Sequence, residues 1–216
     1  MRLSDGFAHA LSPDGRRAIV QSGDSRHFDV VPTGPGETVR LERPGLALMG
    51  ARWLPDGANL LVRARTASGA THLYVMEVQG KATRQVTPAG IDVRSGGWAV
   101  SPDGALVAVS GGRELAIFPT SGGEPRRVPS ASDRWTVVGW IEGGLLVSED
   151  PAAGGTVHRV DPATGRRDMW ADIQPQDPAG IMNLDLGTLV TTPDGRGYGY
   201  NWHRAMSDLY LVADVE

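Results

Sequence analysis

Two carboxylates, Glu142 and Asp185, are the residues whose type and placement come nearest to catalysis, since a pair of acids across a cleft is what glycoside hydrolysis uses. Each is more simply a turn or strand-end residue. Asp14, Asp56, Asp103 and Asp194 recur, but each is the third residue of a Pro-Asp-Gly turn, and a residue repeated four times argues against one active site. The histidines His9, His27, His72, His158 and His203 are scattered, without the close paired spacing of a zinc site. Asn183-Leu184-Asp185-Leu186-Gly187 begins like a calcium loop but lacks the later ligands. The sequence therefore predicts no catalytic residue, no metal and no cofactor.

Composition excludes further classes. The formal charge is −4 and the pI about 5.7, so there is no basic field for nucleic acid or an anionic membrane. No run of roughly 18 apolar residues occurs, and Met1-Arg2-Leu3-Ser4-Asp5-Gly6 has no signal-peptide core. As written, the expectation is a soluble, untargeted chain without membrane insertion. Cysteine is absent, which rules out disulfides and thiolate metal sites and leaves the redox compartment open. All but one of the 21 basic residues are arginine, Lys81 being the exception.

What must position any site is a repeat. Ser12-Pro13-Asp14-Gly15, Leu54-Pro55-Asp56-Gly57, Ser101-Pro102-Asp103-Gly104 and Thr192-Pro193-Asp194-Gly195 each fit a type I turn whose closing glycine takes a positive φ, the turn of a bulged hairpin. Ile141-Glu142-Gly143-Gly144 is a decayed fifth copy. The turn glycines are spaced by 42, 47, 40 and 51 residues. A period near 45 with four strands per unit is that of propeller blades.

The strand before each turn falls at Gly6–Leu11, Met49–Leu54, Gly97–Ser101, Thr136–Ile141 and Thr188–Thr192. The third strands are Phe28–Val31, Leu73–Val78, Leu115–Phe118, Val157–Val160 and Leu209–Val212. The fourth strands carry Arg40, Arg84, Arg126, Arg127, Arg166 and Arg167, which suit an outer edge guarded against foreign strands. Trp53, Trp98 and Trp140 lie two or four residues before a turn, where they fill the wedge between blades.

The predicted fold is all-β: one propeller domain over 1–216, with four-stranded antiparallel blades at about 6–43, 46–88, 93–130, 134–172 and 183–216, and 1–5 as a closing strand. Either the ring closes with five blades, or this is the C-terminal part of a larger propeller, in which case an open edge favours oligomers.

These turns, the aromatic residues before them, and the lines Leu73-Tyr74-Val75-Met76-Glu77-Val78 and Leu209-Tyr210-Leu211-Val212 resemble the TolB-type, WD-like β-propeller repeat. The stretch from Tyr198 to Val212, Tyr-Gly-Tyr-Asn-Trp-His-Arg-Ala-Met-Ser-Asp-Leu-Tyr-Leu-Val, is similar to the end of propellers attached to bacterial eukaryotic-like serine/threonine kinases. That resemblance implies a cytoplasmic kinase, a membrane span and an extracytoplasmic propeller that senses or binds. No kinase motif is present, so no kinase residue is assigned. The prolyl-oligopeptidase type of peptidase also carries this repeat, but its Gly-x-Ser-x-Gly elbow is absent.

The expected function is a non-catalytic interaction or sensing module that binds a protein or small ligand on one rim. The alternative is the propeller of a peptidase or glycosidase. Rim loops on a rigid scaffold are where recognition concentrates, and aromatic and arginine side chains dominate interfaces. The candidate contacts are therefore Arg94, Trp135, Trp202, His203 and Arg204.

Overall fold

The computed structural model describes residues 4–23, 26–91, 93, 97–111, 114–150, 155–174, 177 and 181–204, with only the backbone described at 111, 114 and 181–185. Among these residues there is no helix, and therefore none long and apolar enough to cross a membrane. Four antiparallel sheets have four strands each in simple sequential order. The first comprises β1 (Phe7–Leu11), β2 (Arg17–Gln21), β3 (His27–Pro32) and β4 (Val39–Glu42). The second comprises β5 (Leu46–Trp53), β6 (Asn59–Thr66), β7 (Thr71–Glu77) and β8 (Thr83–Gln85). The third comprises β9 (Trp98–Val100), β10 (Leu106–Gly111), β11 (Glu114–Pro119) and β12 (Arg126–Arg127). The fourth comprises β13 (Thr136–Ile141), β14 (Gly144–Ser148), β15 (Gly155–Val160) and β16 (Arg167–Ile173). A fifth sheet pairs β17 (Ile181–Thr191) with β18 (Tyr198–Arg204).

The propeller class is as expected: four blades are complete, and the fifth is present with two described strands. Its third strand over Leu209–Val212, and the Met1–Leu3 part of the closing strand, lie outside the described residues. Ser4 and Asp5 belong to no strand. The innermost strand of the fifth sheet also begins seven residues before Thr188, because a bulge between Asp185 and Val190 lets one long strand absorb an irregular register.

The repeated turn explains itself locally. Ser101 O accepts from Gly104 N at 2.8 Å, and Gly104 takes φ 75°. Ser101 Oγ donates to Asp103 Oδ1 at 2.5 Å and accepts from Leu106 N at 2.9 Å, while Ala105 N donates to the same carboxylate at 3.0 Å. Ser12 with Asp14, and Thr192 with Asp194, repeat this pattern. The hydroxyl bond first, then the backbone amide, holds the carboxyls of Asp14, Asp103 and Asp194 below their usual pKa. The second turn has Leu54 where the others have a hydroxyl. Asn59 substitutes, donating Nδ2 to Asp56 at 2.7 Å.

Packing between sheets supplies the core. Four apolar clusters lie between successive sheets: first and second, second and third, third and fourth, fourth and fifth. The tryptophans fill these wedges as the repeat predicts. Trp53 is buried in the first cluster and Trp98 in the second, and Trp140 packs against the third. A bulge between Val137 and Gly139 turns Val138 toward the fifth sheet, opposite Trp140.

Successive turns also touch. Arg17 Nη2 donates to Gly57 O at 2.5 Å while its guanidinium lies 4.7 Å from the Trp53 ring centre, and Glu142 N donates to Pro193 O at 2.8 Å. A Cβ on Gly104 would lie 2.6 Å from Pro55 Cδ, whereas one on Gly15 would meet nothing within 4 Å. Both glycines have left-handed φ, at 75° and 69°. Gly15→Ala should therefore lose only the backbone term of about 1–2 kcal/mol, and Gly104→Ala should lose more. The check is thermal unfolding, at roughly 2–4 °C per kcal/mol for a domain of this size; equal losses would remove the turn-to-turn contact from the account.

Candidate functional site

The inner strands of all five sheets face one cavity. Its narrower end, of about 410 Å³, is lined by Ala10 and Leu11 of β1, Arg52 and Trp53 of β5, Ala99 and Val100 of β9, Gly139 and Trp140 of β13, and Leu189 to Thr191 of β17. Pro13, Pro55, Pro102 and Pro193 rim the same end, so four of the repeated turns converge there. The wider end, of about 720 Å³, adds His9, Met49, Gly50, Arg63, Trp98 and Asn201. His9 Nε2 shares a 2.9 Å hydrogen bond with Gln21 Oε1, and Gln21 Nε2 donates to Leu48 O at 2.7 Å across the first wedge. A concave space of this size on a rigid frame is the usual form of a small-ligand site.

The residues singled out from sequence are not all brought together. Arg94 lies outside the described residues. Trp135 is 6% exposed and belongs to the cluster between the third and fourth sheets, so it is part of the wedge and not of a free rim. Arg167 covers it, with the guanidinium 5.7 Å from the ring centre and Nη1 donating to Glu149 at 3.0 Å. That bond, and secondly the neighbouring indole N–H, lowers the Glu149 pKa, although the N–H closes no hydrogen bond of standard geometry.

Trp202, His203 and Arg204 do lie together, on strand β18 and not in the loop that the sequence suggests. Trp202 is 43% exposed. The Arg204 guanidinium sits 5.0 Å from its ring centre, and Arg204 Nη2 donates to Asp177 Oδ2 at 2.9 Å and also to the Asp177 carbonyl. Alternation places Tyr198, Tyr200, Trp202 and Arg204 on one face of the strand. Tyr198 stacks on Tyr200 at 6.3 Å and meets the edge of Trp170 at 5.4 Å. The sequence pointed to this strand but not to its extension by Tyr198 and Tyr200, whose period of two was the available signal.

Glu142 is an exposed turn residue, and the Asp185 side chain is not among those described. Among the described residues no three His, Asp or Glu side chains gather as a metal set. His27 faces Asp29 at 3.6 Å, and His72 is buried edge-on to Tyr74 at 6.4 Å.

No family model matches the chain. No curated protein matches it either. Among solved structures it is similar to TolB from Acinetobacter baumannii, with a TM-score of 0.57 and 15% identity, over 89% of this chain and 53% of that one. It is also similar to a puromycin-hydrolyzing peptidase of Mycobacterium tuberculosis, with a TM-score of 0.58 and 19% identity, over 82% of this chain and 31% of that one. The chain thus spans about half of the first and under a third of the second. Its fold is that of the TolB-type β-propeller.

Burial makes Trp135 a structural residue, with a measurable consequence. Trp135→Ala should destabilise the chain by about 3–5 kcal/mol, as for a large aromatic removed from a core. A thermal midpoint unchanged by this substitution would return Trp135 to the list of surface contacts.

Proposed function

We propose that the chain is a non-catalytic β-propeller module that recognises a protein partner through the strand face carrying Trp202 and Arg204. One observation carries this reading. Among the described residues, the large apolar side chains that remain exposed are Phe7, Leu11, Met169, Val190, Tyr198 and Trp202, and these lie on β1, β16, β17 or β18. The other wedges bury theirs. An exposed apolar group concentrated beside one sheet, with an arginine stacked on its tryptophan, has the composition of an interface centre.

The resemblance of Tyr198–Val212 to kinase-linked propellers supports placing the module in the extracytoplasmic part of a bacterial signalling protein. A second reading, the propeller of a hydrolase, draws on the architecture shared with the puromycin-hydrolyzing peptidase. A hydrolase domain adjoining the chain in its gene favours the second reading, and a kinase and membrane span favour the first.

Trp202→Ala combined with Arg204→Ala tests the surface. Trp202 is well exposed and the ion pair of Arg204 with Asp177 is open to solvent, so such truncations cost the fold little. The double variant should recover at least tenfold less of whatever protein co-purifies with the native chain, with its unfolding midpoint within a few degrees of native. Undiminished recovery, or a midpoint lower by ten degrees or more, would contradict the assignment.

A further inference from the structure

The narrow end of the central cavity contains a cation without a counterion among the described residues. Arg52 projects from β5 into this space, with its guanidinium 4.9 Å from the Trp98 ring centre. Among the described residues it makes no hydrogen bond or ion pair, and no charged group contributes to its titration. Although the side chain keeps some accessible surface, the protein packed around it lowers its pKa through desolvation alone. A desolvated guanidinium with five unmatched donors is costly to keep and is well formed to receive a planar oxyanion.

The surroundings select the sign and the shape of a ligand. The chain as a whole is acidic, with 25 Asp and Glu against 21 Lys and Arg, yet no carboxylate side chain is among the described residues lining either end of the cavity. Beside Arg52, the narrow end presents Leu11, Trp53, Trp140, Leu189 and Val190. A ligand matching this wall has one anionic head and an apolar body. The fork of an arginine pairs with a carboxylate through two parallel hydrogen bonds, and the volume of about 410 Å³ suits a small organic acid.

We propose that the central cavity binds a small apolar carboxylic acid, its carboxylate on Arg52 and its hydrocarbon or ring against the tryptophan and leucine wall. Trp202 and Arg204 line neither end of this cavity, so either proposal can fail without the other.

The probe is benzoate, followed by calorimetry and tryptophan fluorescence at pH 7 on the full chain, with benzamide and inorganic phosphate as comparisons. Benzoate should saturate one site with a dissociation constant of about a millimolar or tighter. Benzamide, isosteric and uncharged, should bind at least tenfold more weakly, and phosphate, lacking the apolar body, should too. Arg52→Met should abolish the preference for benzoate over benzamide while unfolding at the native midpoint or above it, because an uncompensated charge is removed and the packing on Trp98 is kept. Arg52→Lys should retain part of the preference. Absence of saturable benzoate binding, equal binding of benzoate and benzamide, phosphate binding as tightly as benzoate, or a preference that survives Arg52→Met would each overturn the proposal. A marked fall in stability of Arg52→Met would overturn it as well, by making the guanidinium a structural stacking group.

Discussion

Every sheet in this chain is apolar on two faces and needs a neighbour on each. The second strands show it plainly: Leu60, Leu61 and Val62 in β6, or Leu145, Leu146 and Val147 in β14, are all fully buried, although successive side chains point to opposite faces. No sheet can be stable alone, and stability accumulates from one wedge to the next. Four clusters join the five sheets in order, each with a tryptophan at or near its centre in the first three and Trp170 beside the fourth. No corresponding cluster joins the fifth sheet to the first among the described residues, and the large apolar side chains left exposed there lie on β1, β16, β17 and β18.

The polar devices serve this stacking. The hydroxyl, aspartate and glycine of each turn close a hairpin tightly enough for four turn prolines to meet at one mouth of the cavity. Outside, arginines reach from one blade to the next: Arg43 donates to Glu77 O and Gly80 O, and Arg84 to Thr120 O. Such bonds, two of the three partly buried, tie one blade to the next. The result is a stiff set of inner strands in which Arg52 is desolvated beside Trp98 and has no ion-pair partner among the described residues.

Much of the architecture was legible because it is written locally and repeatedly. Pro-Asp-Gly fixes a turn by the chemistry of three side chains, and strand β13 has the bounds that the sequence gives it, Thr136–Ile141. What failed to show were features set by neighbours. The bulge that reverses Val138 depends on how β13 meets two other sheets. Trp135 and Trp202 look alike in sequence, each within two residues of an arginine in an expected loop, and only the packing of blades separates a buried wedge residue from an exposed one. Arg52 was not singled out at all. Its neighbour in the chain is Trp53, but its partner is Trp98 from the next blade, a contact that no spacing rule anticipates.

The central claim is that the inner strands of five sheets surround one cavity. Small-angle X-ray scattering with light scattering, extrapolated to low concentration, tests it most directly. A particle with the mass of one chain and a radius of gyration of about 17 Å, the value for a compact domain of 216 residues, is the predicted result. The same mass with a radius well above about 20 Å would show the sheets splayed in an open arc, without a shared cavity.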